Sequence, residues 1–170
     1  MKIYDRLKKV REDNKGFTLV ELIVVLVILA ILAAILVPAL LGYIDRAKES
    51  QYELEANAVM TAMQGEASRL YATAANGSKL TAAQFNDSND ETGLSAVGKS
   101  VMKTADVKAL AITGVTTKWD TAKKTGNPST TADLHDAYTI VGMTISFTSA
   151  NGKSVTCVLA DGAWTCTPAN

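Results

Sequence analysis

The stretch "KGFTLVELIVVLVILAILAAILVPALL", residues 15–41, decides how this chain is built. From Leu22 to Leu41 it runs for twenty residues without a charge or a hydrogen-bonding side chain. A helix of that length is what the hydrocarbon core of a bilayer demands. Yet Glu21 stands at the start of the run, and Gly16 separates the run from a charged N-terminus. A carboxylate inside a span is costly unless it reaches water or a cation. Water is close at the cytoplasmic end of the span, and no Lys or Arg lies between Phe17 and Asp45 to serve as the cation.

The formal net charge of zero hides an asymmetry about Gly16. Residues 1–16 carry six basic side chains against three acidic, and the remainder carries eleven against fourteen. A basic flank before an apolar helix keeps that flank in the cytoplasm and sends the chain beyond the helix outward. The remainder has no basic stripe, so no nucleic-acid partner is expected. The two cysteines, Cys157 and Cys166, fall in the exported part, where a disulfide is chemically allowed. A secretory signal peptide carries its cleavage site after the apolar stretch. Here the processing glycine precedes it, so cleavage leaves the helix on the mature protein.

The helix is expected to continue to about Ala75. Its first half is apolar on all sides, whereas beyond Gly42 it becomes amphipathic. Tyr52, Ala56, Val59, Met63, Ala67, Leu70 and Ala74 recur at spacings of three and four, a single stripe at helical period. Asn76-Gly77 offers a C-terminal stop. Pro38 removes one backbone donor and should kink or loosen the preceding turn, with Gly42 as a second weak point.

Residues 78–138 are rich in Ser, Thr, Asn, Asp and Gly and show little periodicity. "SAVGKSVMKTADVKAL" can hold a short helix, "ALAITGVTTKW" reads as a strand, and "TAKKTGNPSTTADLHD" reads as surface loop. His135 with Asp133 and Asp136 is taken as solvated loop rather than a metal site. "NDSNDETG", residues 86–93, is taken as an acidic loop, because Thr92 and Gly98 stand where a calcium loop needs glycine and glutamate. No catalytic motif occurs, so no enzyme activity and no cofactor are expected.

The C-terminal stretch from Ala137 reads as a three-stranded antiparallel meander. Asp161-Gly162 is a two-residue hairpin signal. Pairing outward from it sets Leu159 opposite Trp164 and Cys157 opposite Cys166, in a non-hydrogen-bonded pair that a disulfide can bridge. A structural disulfide is the reading, with a reduced pair as the alternative. For the other turn, a three-residue loop Ala150-Asn151-Gly152 pairs Phe147 with Val155, Ile145 with Cys157 and Met143 with Leu159. One face then gathers Val141, Met143, Ile145, Phe147, Val155, Cys157, Leu159, Trp164 and Cys166, and is expected to cover the helix stripe.

"KGFTLVEL", the apolar run, Pro38 and the amphipathic helix together resemble the class III signal of type IV pilins and related pseudopilins, and are similar to clostridial major pilins among them. The resemblance implies an α+β pilin fold, a long N-terminal helix packed on a small antiparallel sheet, with a disulfide near the C-terminus. It implies a leader at 1–16, a transmembrane and filament-core half-helix at 17–41, an amphipathic half-helix at 42–76 and a globular head at 77–170. A prepilin peptidase would cut between Gly16 and Phe17 and methylate the Phe17 amine. Glu21 would meet that amine on a neighbouring subunit. The implied partners are further copies of the chain, the prepilin peptidase, an assembly ATPase and a platform membrane protein. The protein would sit in the cytoplasmic membrane as a prepilin and then in an extracellular pilus serving adhesion, motility or biofilm formation. A pseudopilin of a secretion or DNA-uptake system is the alternative.

Overall fold

The computed structural model describes residues 17–75, 77–122 and 126–169. Helix α1 spans Leu19–Ala72. A 3₁₀ turn comes next at Ala82–Gln84, then α2 (Ala96–Thr104), β1 (Lys108–Thr117), α3 (Lys118–Thr121), α4 (Thr131–Ala137), β2 (Ile140–Thr148), β3 (Ser154–Ala160) and β4 (Ala163–Pro168). The chain divides into two compact units, Met1–Arg46 and Ala47–Asn170.

In the first unit every large apolar side chain from Leu19 to Ile44 is exposed. That is the all-round apolar surface of a helix meant for surroundings other than water. The helix runs through Pro38 and Gly42 without interruption. Its end falls at Ala72, a turn earlier than the spacing of the stripe suggests. Thr73 and Ala74 donate to the carbonyls of Leu70 and Tyr71 instead, the tightened i→i+3 closure common at helix ends. Of the expected stop, Asn76 lies outside the described residues, while Gly77 takes the left-handed conformation at φ +87°.

In the second unit the four strands form one antiparallel sheet in the order β1-β2-β3-β4. The expected meander is present, and β1 adds a fourth strand along β2. The three-residue turn forms as the alternation of apolar residues requires: Phe147 pairs with Val155, Ile145 with Cys157 and Met143 with Leu159. Ser149 N–H donates to Lys153 O at 2.9 Å, and Gly152 sits at φ +83°. At the second turn Asp161 and Gly162 both have positive φ, as a two-residue hairpin with right-twisted strands needs. β4 is the free edge, with Pro168 opposite Val155.

The core lies between the sheet's inner face and the helix stripe. Tyr52, Ala56, Val59, Met63 and Ala67 are buried, as are Met143, Ile145, Phe147, Val155, Cys157 and Leu159. Val141, Trp164 and Cys166 are half-buried at its margin. Each fully buried large side chain contributes about 1.5–3 kcal/mol. Polar contacts then fix the register of helix on sheet. The Gln64 amide donates to Tyr138 O at 3.0 Å and accepts from Ile140 N–H at 2.9 Å, taking the place of a strand partner where β2 begins. Trp164 Nε1–H donates to Asn57 Oδ1, and Asn151 Nδ2–H to the Tyr52 hydroxyl.

The segment read as surface loop up to Asp136 is corrected by α4, which contains Asp133, His135 and Asp136. Thr130 Oγ1 accepts from Asp133 N–H at 3.1 Å and Asp133 Oδ2 accepts from Thr130 N–H at 3.2 Å. These two bonds satisfy donors that a short helix would otherwise leave open.

Candidate assembly segment and its helix cap

The residues singled out by the sequence fall into two separate places. Gly16 lies outside the described residues. Phe17 is 85% exposed and stands two residues before α1. Glu21 sits in the first turn of that helix, where the partial positive charge of unpaired N–H groups favours an anion.

Glu21 is engaged with Thr18. Its Oε2 accepts from Thr18 N–H at 3.0 Å and from the Thr18 hydroxyl at 2.9 Å, and Glu21 N–H donates back to Thr18 Oγ1 at 3.2 Å. This is a reciprocal capping box. Weighing Glu21 only by its cost in a span leaves Thr18 without a role. The signal for that role is the Thr-X-X-Glu spacing in "FTLVEL", just ahead of an apolar run. The same device opens α3, where Asp120 Oδ2 accepts from Thr117 N–H at 3.1 Å. Burial there works against the Asp120 carboxylate, but its bonds to Thr117 and the nearby Lys79 ammonium outweigh that and leave its pKa below the ordinary value.

The second place is the β3–β4 hairpin, where Cys157 and Cys166 are joined by a disulfide with Cα atoms 4.1 Å apart. Cys157 is fully buried against the helix stripe. The bond ties the free edge strand to its neighbour.

His135 sits at the end of α4 with its ring edge-on to Tyr71, centroids 6.2 Å apart. The 86–93 loop closes on itself, since Asp87 Oδ1 accepts from Asn89 N–H and Asp90 Oδ1 from Thr92 N–H. Lys99 pairs with Asp90 Oδ2. With the Thr92 bonds, this contact holds the Asp90 carboxyl down at about 2. Among the described residues, no group of three or more His, Cys, Asp or Glu side chains is placed to hold a metal.

An apolar helix opens here on a threonine–glutamate box, one residue after an exposed phenylalanine. Residues 12–37, which include that box, match the prokaryotic N-terminal methylation motif. The chain carries the signal of a type IV pilin-like prepilin. Such a prepilin signal, leading into an apolar helix, fits a membrane-anchored precursor and implies processing by a prepilin peptidase. Among known proteins, no curated sequence and no solved structure matches the chain. The signal, the helix-on-sheet fold and the bonded cysteine pair are pilin features; the motif is common to pilins and pseudopilins.

Proposed function

We propose that this chain is the major structural subunit of a type IV pilus. It enters the cytoplasmic membrane as a single-pass prepilin, loses residues 1–16 by cleavage after Gly16, and gains a methyl group on the Phe17 amine. An assembly ATPase and a platform membrane protein then draw it into an extracellular homopolymer. Its work is cohesion, not catalysis. The half-helix 17–41 forms the filament core, with Pro38 and Gly42 as the points where the helix opens during packing.

The observation that carries the proposal is the pairing of an all-round apolar helix with one carboxylate at its start, Glu21, four residues after Phe17. In a core of packed helices Glu21 needs a cation, and the Phe17 amine of the next subunit supplies one.

The test separates charge from cap. Glutamine keeps the acceptor that the box needs and removes only the charge. Glu21→Gln should therefore be processed to an N-methylated Phe17, checked by mass spectrometry, yet yield fewer sheared filaments by roughly tenfold, the effect of weakening one contact per added subunit. Filaments at parental yield from Glu21→Gln would end the pairing argument. Surface electron microscopy completes the test: absent filaments together with failed secretion or transformation would point to a pseudopilin instead.

A further inference from the structure

Strands β2, β3 and β4 cover twenty-two residues without one Asp, Glu, Lys, Arg or His, in a chain of which 20% is charged. Their inner face is core, so neutrality there is expected. Their outer face meets water and is neutral as well. Sheets that face water ordinarily carry charges, for solubility and to deter stray strand pairing.

What the outer face carries is hydroxyl. The register aligns Ser146 with Thr156 and Thr167, Thr144 with Val158 and Thr165, and Thr148 with Ser154. Seven hydroxyls thus lie on a grid of about 4.8 Å between strands and about 6.8 Å along them. Ser146 Oγ and Thr156 Oγ1 are hydrogen-bonded to each other at 2.9 Å. Each hydroxyl both donates and accepts, and the threonine methyls with Val158, 39% exposed, give small apolar contacts between them. β1 continues the face with the small residues Ala111 and Gly114 opposite Ser146 and Thr144, and brings one charge to its end, Lys108 opposite Thr148.

We propose that the outer face of β2–β4 is a docking surface for neutral polysaccharide. Its charge selects the partner: β2–β4 themselves offer phosphate and carboxylate polymers no cation, Lys108 of β1 lying only at one end, and offer cationic surfaces no anion. An extended polymer of uncharged hydroxyls can pair with it row by row without desolvating an ion. The inner face is taken by the helix, so a polymer built through that helix leaves the outer face free and repeats it in every subunit. Weak single contacts then add to firm attachment. For this repetition the inference rests on the filament reading above.

The experiment pellets an insoluble neutral glucan, cellulose or starch granules, with purified filaments and, in parallel, with the detergent-solubilised full-length chain. Both should co-pellet, the filaments more tightly, and high salt should leave binding unchanged. Thr156→Glu and Thr165→Lys place opposite charges on the face, and each should weaken binding by about tenfold or more through the cost of burying an unpaired ion. Asn89→Glu, in the 86–93 loop, should bind like the parent, and circular dichroism checks that each variant is folded. Binding that survives both face substitutions, or that salt removes, overturns the proposal. So does self-bundling of filaments that the same two substitutions abolish while glucan binding is absent, since the face then belongs to a second copy. If no filaments form, the pilus reading fails, while the solubilised chain still decides the glucan question.

Discussion

Reduction of the Cys157–Cys166 bond offers a measurement whose size can be worked from the fold. The two residues are nine apart in sequence, and closing a loop of about ten residues in the unfolded chain is worth about 2.7 kcal/mol by the chain-entropy relation. Reduction leaves both sulfur atoms in place, so Cys157, fully buried, adds no cavity to the cost. The Asp161-Gly162 turn and the Trp164–Asn57 bond still hold β4, so the hairpin should remain folded below the transition. For a unit the size of Ala47–Asn170, about 2.7 kcal/mol corresponds to a fall in Tm of roughly 10 °C. The full-length chain in detergent would be heated with and without a phosphine reductant, with free thiols counted by mass spectrometry after alkylation. Tryptophan fluorescence is the suitable probe, because Trp164 reports on β4 whereas far-ultraviolet dichroism is dominated by α1. A fully reduced protein whose Tm stays within about 2 °C of the oxidised one would refute the reasoning.

Three single positions offer further tests. A Cβ at Gly98 would lie 2.1 Å from Phe85 O, so Gly98→Ala should lower stability by about 2–4 kcal/mol in the same melting assay; an unchanged Tm would mean that α2 shifts freely. Ala109 holds φ +49° at the first bulge of β1, a conformation costing a non-glycine residue about 1 kcal/mol, so Ala109→Gly should raise stability by up to that amount. The Asp90 carboxyl, held at about 2 against its ordinary 3.8 chiefly by Lys99, contributes stability that is complete above about pH 4 and is lost as pH falls toward about 2. Asp90→Asn should flatten that acid limb of the stability profile, and carboxyl-carbon NMR of Asp90 in the parent should titrate at about 2; a value near the ordinary 3.8 would mean the Lys99 contact is not made in solution.

The sheet was legible because its turns are written in residues with one conformational use. Asp161-Gly162 fixed one register, and the left-handed need at Gly152 together with the alternation of Phe147, Ile145 and Met143 fixed the other. The helix was legible from period alone, and its apolar half from composition. Residues 78–138 were not, for a physical reason: α2, α3 and α4 are short, so each contributes only one or two buried side chains. Leu80, Phe85, Leu94, Val101, Trp119 and Leu134 enter the core singly, and single burials leave no periodic trace. What these elements do leave is a polar trace. Thr18 with Glu21, Thr117 with Asp120 and Thr130 with Asp133 are one local arrangement made three times with a carboxylate, and Thr81 with Gln84 repeats its backbone bond with an amide; that spacing marks both the missed helix and the partner of Glu21.

The Thr18–Glu21 box also changes what docking of a neighbouring subunit has to accomplish. The carboxylate does not wait bare for an amine; its Oε2 is already occupied. Both Thr18 bonds fall on Oε2, so in the proposed polymer an arriving amine adds at Oε1 to a carboxylate already held in place. The cap keeps that carboxylate from swinging out toward an amine that stops short. In the proposed polymer the cap thus sets where along the helix the amine must arrive, a local reference point supplied by the subunit itself.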